Sequence, residues 1–230
     1  MTYTLAIADR ANSSWSLRGW LLFEKFDIPV SIAFARLYDA GFSEALADFA
    51  PARTVPALRI EGGRAPIIVW DSLAMAETLA ERFPDRPFWP GDPALRGLAR
   101  GMVAEMHAGF RALREACPMN LRRSYTGFQP SEEVRSDLAR IEALWSAARA
   151  ASGAGPWLFG AYSVADAFFA PVAARIATYG LPVGPEAEAY VATHLADPAF
   201  VAWRNEGLAD PMVQTGYDKD LAERPWPGPE

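Results

Sequence analysis

The stretch from Thr54 to Ser72, TVPALRIEGGRAPIIVWDS, combines a proline, a tight hairpin and a helix start in one short span. Val55-Pro56 opens an apolar run, Glu61-Gly62-Gly63-Arg64 reads as the turn between two strands, and Asp71-Ser72 closes the second strand before a helical pattern. Pro56 has no amide hydrogen and cannot join a sheet ladder at that point. The amide and carbonyl of Val55 are then free to face outward and pair with another backbone, such as a bound peptide. At the far end, Asp71 and Ser72 sit where helix amides lack partners; a carboxylate there can hold an ammonium group while the amides hold a carboxylate. The same stretch also reads as a hairpin with an ordinary helix cap.

The chain has 230 residues, 51% of them hydrophobic and 22% charged, enough for one large domain or two modest ones with real cores. A net charge of −6 gives no electrostatic footprint for nucleic acid or an anionic membrane, so neither partner is expected. No apolar run is long enough to cross a bilayer, and Asp9 and Arg10 interrupt the start before a signal-peptide core can form; a cytoplasmic protein is expected. One cysteine, Cys117, excludes an internal disulfide framework. With only His107 and His194 beside it, no metal-ligand cluster forms at the usual spacings, and no metal is expected.

Tyr3 to Ala8 reads as a buried strand. Asn12-Ser13-Ser14 then caps a helix carrying Leu17 and Leu21 on one face, which Gly19 weakens only locally. Pro29 to Leu37 suggests a second strand, Gly41 to Phe49 a short helix, and Leu73 to Phe83 a helix behind Asp71-Ser72. This order fits a small mixed sheet that begins with a strand-helix-strand unit and ends in a hairpin. The segment 84–93 is rich in proline and reads as a linker between residues 1–83 and 94–230. Beyond it the pattern is helical. A long helix runs from Leu95 through Met102, Met106, Phe110 and Leu113 to Cys117-Pro118. Another starts at Ser131 with Val134, Leu138, Ile141 and Trp145 on its face, and breaks at Gly153 to Pro156. Ser163 to Asp166 is a capping box before Phe168 to Ile176, with Pro171 expected to kink the helix. Helices over Pro185–Leu195 and Val201–Glu206 follow, and Arg224 to Glu230 reads as an irregular tail.

Four features, Ser13-Ser14-Trp15-Ser16, Val55-Pro56, Asp71-Ser72 and Ser163 to Asp166, together resemble the cytosolic glutathione transferases across nearly the whole chain. The serine pair is most similar to the zeta class, which includes maleylacetoacetate isomerases, although Trp15 stands where that class tends to have cysteine. The resemblance implies an α/β thioredoxin-like N-terminal domain plus an all-α C-terminal helical bundle domain. It also implies glutathione as co-substrate, a detoxification-type transfer to a small-molecule electrophile, and a homodimer built from the helices after Ser72 and Leu95.

The resemblance assigns Ser13 to activation of the glutathione thiol, with Ser14 as the fallback. A thiol near its reference pKa is only a few per cent ionised at neutral pH, and a hydroxyl at a helix start favours the anion. Val55 is implied to pair with the cysteinyl backbone, Pro56 to hold a cis bond, and Asp71 and Ser72 to hold the γ-glutamyl group. Arg53 either meets the glycyl carboxylate or is a solvated surface arginine. Trp15, Met106 and Phe110 are the residues assigned to the second-substrate pocket, or else to the core. His107 reads as a surface or interface histidine and Cys117 as a small buried hydrophobe. Absence of a C-x-x-C pair disfavours disulfide exchange. The rival readings are maleylacetoacetate isomerisation and a non-catalytic binding module of the same fold.

Overall fold

Strand β1, Thr2–Ile7, is the apolar run at the start of the chain, and in the computed structural model, which describes residues 1–153 and 155–229, it lies inside a four-stranded sheet of order β2-β1-β3-β4. Strand β2, Ser31–Phe34, runs parallel to it with Ile32 beside Leu5. Strand β3, Ala57–Glu61, is antiparallel with Leu58 opposite Leu5, and β4, Ile67–Trp70, completes the hairpin with Val69 opposite Leu58. The second strand is shorter than the expected Pro29–Leu37. Its far end is drawn off the ladder because the Leu37 amide donates to Asp9 Oδ2 at 2.9 Å.

Helix α1, Ser14–Glu24, connects β1 to β2, and a single turn, α2 (Phe42–Ala45), with a 3₁₀ turn at Ala47–Phe49 replaces the one short helix expected there. Helix α3, Ser72–Arg82, follows the hairpin. The proline-rich segment ends where Pro93 becomes the first residue of α4, Pro93–Ala108, capped by Asp92, whose Oδ1 accepts from Ala94 and Leu95 at 2.9 Å each. The long helix expected from Leu95 to Cys117 is two helices, α4 and α5 (Arg111–Ala116). Gly109 and Phe110 break it: Phe110 is left-handed at φ 57°, and a Cβ on Gly109 would lie 2.8 Å from the Glu105 carbonyl. Periodicity alone misses this break because the apolar spacing continues through it.

Helix α6, Glu132–Ser152, buries Val134, Leu138, Ile141 and Trp145 as its spacing requires. Its expected break at Gly153 to Pro156 includes Ala154, and the expected tail ends at Glu230; both residues lie outside those described. Helix α7, Val164–Tyr179, is buried at every position and continues through Pro171, which matches its apolar composition all round. The capping box holds: Ser163 donates both its amide, at 2.9 Å, and its hydroxyl, at 3.0 Å, to Asp166 Oδ2. Helices α8, Pro185–Ala196, and α9, Pro198–Ala209, follow; α9 is longer than the expected Val201–Glu206 because Asp197 caps it. One core cluster runs from Leu5 and Leu58 in the sheet through α1 into α4, α6 and α7.

Gly19 plays a larger part than its helix propensity suggests. A Cβ built there would lie 2.7 Å from Pro56 Cβ, so α1 reaches β3 only because position 19 has no side chain. Replacing a helical glycine by alanine ordinarily gains up to about 1 kcal/mol. Here Gly19→Ala is expected to lose about 1–3 kcal/mol through overpacking, read as a lower urea midpoint; an unchanged or raised midpoint would refute the close contact.

Cys117 is fully buried, and burial pushes its thiol up to about 12. The folded group stays protonated where an unfolded cysteine ionises. It therefore supports stability below the unfolded value, a contribution that fades as pH rises towards 12. Iodoacetamide at pH 8 is expected to label the native protein at least about 100-fold more slowly than the urea-unfolded chain, measured by mass spectrometry.

Candidate functional site

Asn12 and Ser13 follow the end of β1, where both their amides bond back to the Asp9 carbonyl and turn the chain into α1. Ser13 is the N-cap of that helix: its Oγ accepts from the Ser16 amide at 3.3 Å and donates to Ser16 Oγ at 2.8 Å. Ser16 Oγ in turn accepts from the Ala8 amide at 2.9 Å, tying the helix's first turn to the end of β1. Ser14 Oγ accepts from Arg175 Nη2, on α7, at 3.4 Å. Both serines are buried, yet both line the mouth of a cleft of about 750 Å³.

The cleft runs between the start of α1, Thr54-Val55 before β3, the Leu37-Tyr38 loop, the α4–α5 junction and Tyr217 near the end of the chain. The Val55-Pro56 bond is cis. Val55 and Ser13 line the same cavity, with α1 and the start of β3 in contact at Gly19 and Pro56. Arg53 is exposed and outside the lining, as a solvated surface arginine would be.

Asp71 and Ser72 lie beside the cleft rather than in its lining. Asp71 has φ 77°, unusual for a residue with a side chain; its Oδ1 caps α3 by accepting from Leu73 at 2.8 Å, and its Oδ2 meets His107 Nε2 at 2.9 Å. Ser72 Oγ is buried without a hydrogen-bond partner at the first turn of α3. A lone hydroxyl, helix amides and a carboxylate with spare lone pairs form a donor and acceptor set that suits a zwitterionic amino acid. His107 is half-buried and packs its ring edge against Trp15, with centroids 5.1 Å apart. Its partner Asp71 caps another helix, so no neighbour in sequence reveals the pair.

Three arginines surround this corner. Trp15 is stacked between Arg18, at 4.5 Å, and Arg114, at 4.6 Å. Arg18 is fully buried; its Nε donates to the Phe168 carbonyl at 3.0 Å, and neither Nη has a hydrogen-bond partner. Burial first, then the nearby Arg175 and Arg114, lowers its guanidinium well below the usual arginine range. Arg175 donates to the Cys117 and Pro171 carbonyls at 2.8 and 3.2 Å, and burial brings it to about 10, so it stays charged at neutral pH. Arg114 fastens the α4–α5 break by donating to the His107 carbonyl at 3.2 Å.

Of the residues assigned to a second-substrate pocket, only Trp15 lines the cleft. Met106 is buried on the apolar face of α4 and Phe110 is buried at the break that follows it, and Ala108, Gly109, Arg111 and Arg114 line that wall instead. Sequence reading also missed Arg175 and Tyr217, whose distance along the chain hides their approach to Ser14 and the cleft. Among the described residues no group of three or more His, Cys, Asp and Glu is placed to hold a metal, and no helix is long and apolar enough to cross a membrane.

Residues 12–82 match the family model described as glutathione S-transferase, N-terminal domain. No curated protein matches the chain. Among solved structures, a glutathione transferase homolog from Burkholderia with bound glutathione is 21% identical; the match covers 91% of this chain and 100% of that one, at a TM-score of 0.66. A maleylacetoacetate isomerase from Anaeromyxobacter dehalogenans with bound glutathione is 23% identical over 91% of this chain and 97% of its own, at 0.64. The Omega 2S glutathione transferase from Trametes versicolor is 20% identical over 93% and 99%, at 0.63. The matched segment includes Ser13, Val55 and Asp71, and the similarity in fold extends through the helical part: residues 12–82 match the glutathione S-transferase N-terminal model, and the chain has the glutathione transferase fold.

Proposed function

We propose that the protein binds glutathione along the cleft and adds its thiolate to a small electrophile. The observation that supports this most directly is the meeting of Ser13, Ser14 and Val55 in one cavity with Arg114 and Arg175. In this reading Val55 pairs with the tripeptide backbone, and Asp71 with Ser72 receives the γ-glutamyl group. Ser13 donates to the sulfur, with Ser14 as the alternative donor. Lowering a thiol pKa by two units takes about 2.7 kcal/mol of preference for the anion. One charge-assisted hydrogen bond, the α1 N-terminus and a nearby guanidinium together reach that magnitude. Catalysis then comes from thiol activation and proximity. The same reading includes a cytoplasmic homodimer formed through α3 and α4.

A second reading, glutathione-dependent isomerisation of an acidic substrate such as maleylacetoacetate, is favoured by the cleft's charge. Arg111, Arg114 and Arg175 line it against one carboxylate, Glu115, which is already paired with Arg111 at 2.6 Å. A substrate carrying carboxylates would find two cations available.

Wild-type protein is expected to be retained on immobilised glutathione and to conjugate an aryl halide, with Ser13→Ala lowering kcat/KM at least about 100-fold while retention persists. Retention without turnover by wild type would instead favour a binding module, and loss of both would end the reading. If turnover is confined to a cis-dienoic acid, the isomerase reading stands. Arg114→Ala should then raise KM for that acid about tenfold and leave the KM for a neutral aryl halide unchanged.

A further inference from the structure

We infer that Ser16, which does not line the cleft, is a positioning residue that works through Ser13 in a chain of hydrogen bonds running Ala8 amide, Ser16 hydroxyl, Ser13 hydroxyl, glutathione sulfur. The inference rests on the reading of Ser13 as the sulfur's donor. Its basis is a count of protons. Ser16 is fully buried, and its Oγ accepts from the Ala8 amide at 2.9 Å and from Ser13 Oγ at 2.8 Å. With both lone pairs engaged, the Ser16 proton is the one group in this cluster left to place. Ser13 in the same arrangement has its proton turned towards Ser16 and away from the cleft, while its oxygen accepts only the Ser16 amide at 3.3 Å.

Turning both hydroxyls resolves this. Ser16 then donates to Ser13 across the same 2.8 Å contact once its side chain rotates to aim the proton, and Ser13 donates outward. The number of hydrogen bonds between the two serines is unchanged, and the Ala8 amide still donates to Ser16 in either arrangement. Because each hydroxyl that accepts a hydrogen bond becomes a better donor, the Ala8 amide, just past the end of β1, strengthens the outward bond at two removes. Without Ser16, Ser13 keeps its capping bond to the helix amide but loses the group that orients its proton. No covalent step is involved; only the orientation of two hydroxyl protons changes.

The decisive readout is the thiolate absorbance of glutathione bound to the protein, titrated with pH for wild type, Ser13→Ala, Ser16→Ala and the double variant. Ser13→Ala is expected to raise the midpoint by about one to two pH units and Ser16→Ala by about half to one. Ser16→Ala is also expected to change the glutathione Kd, measured by calorimetry, less than about threefold. In the Ser13→Ala background the Ser16 substitution should add nothing, because its effect passes through the missing hydroxyl. Ser16→Cys, which nearly keeps the volume but donates weakly, is expected to shift the midpoint almost as far as alanine and serves where Ser16→Ala does not fold. A raised midpoint in Ser13→Ala with none in either Ser16 variant overturns the relay and leaves the role of Ser13 intact. An equal shift from Ser16→Ala with and without Ser13 assigns its effect to placement of the helix and also overturns it. No shift in Ser13→Ala removes the underlying reading itself.

Discussion

Gly19 and Pro56 touch where α1 crosses the start of β3, and the separation of the two walls of the cleft follows from that contact. The helix brings Ser13, Ser14 and Trp15 at its N-terminal end, and the residue before Pro56 brings a backbone edge. Any side chain at position 19 would push the helix off the sheet and move Ser13 away from Val55. On the proposed function such a shift matters, because displacements of about 1 Å between reacting groups are enough to cost orders of magnitude in rate. A residue with no side chain and no chemistry of its own thus fixes the relation between those that have both.

The rest of α1 is held as firmly as its crossing point. At its start, Ser16 is pinned to the chain just past β1 through the Ala8 amide; in its middle, Arg18 reaches the Phe168 carbonyl of α7; at its end, Lys25 pairs with Asp197 and lies over the rings of Trp157 and Tyr162. Asp166, which caps α7, also accepts from Tyr190 on α8 at 2.8 Å, so the helix that supports Arg18 and Arg175 is itself anchored. The buried Asp166 carboxyl is raised above its ordinary value by burial, and four hydrogen bonds work against that rise. First-turn geometry in α1 is therefore set by the helical part of the chain as much as by the sheet. This is the condition under which small hydroxyl groups can be aimed.

How much of this could be read in the sequence depended on range. The Ser13 cap, the hairpin, the Asp71 cap and the Ser163 box are local, each decided within a few residues, and all were legible. The break at Gly109 was not, since it lies in the backbone, with Gly109 extended and Phe110 left-handed, while the apolar spacing runs on unchanged. Gly19 looked like a local weakness because its partner lies 37 positions later, a separation visible only once β3 is folded against the helix. The arginines were hidden for the same reason: Arg175 comes to Ser14 from 161 residues away. Met106 and Phe110 were legible as apolar residues, but which face of the helical part met the cleft was decided by the break.

Charge gives the arrangement its direction. The chain carries a net charge of −6, yet the corner around Trp15 holds Arg18, Arg114 and Arg175, and burial lowers the pKa of all three. Burying a cation without a carboxylate beside it is unfavourable for the fold, and each guanidinium here relies on carbonyls, a hydroxyl or ring faces instead. Such an arrangement weakens the protein in isolation and strengthens its hold on anything negative that enters. A thiolate and the carboxylates of a tripeptide are groups of that kind. On the proposed reading, the destabilisation that these arginines bring is the reverse face of an electrostatic field prepared before the ligand arrives, which would cost no reorganisation as charge develops on the sulfur.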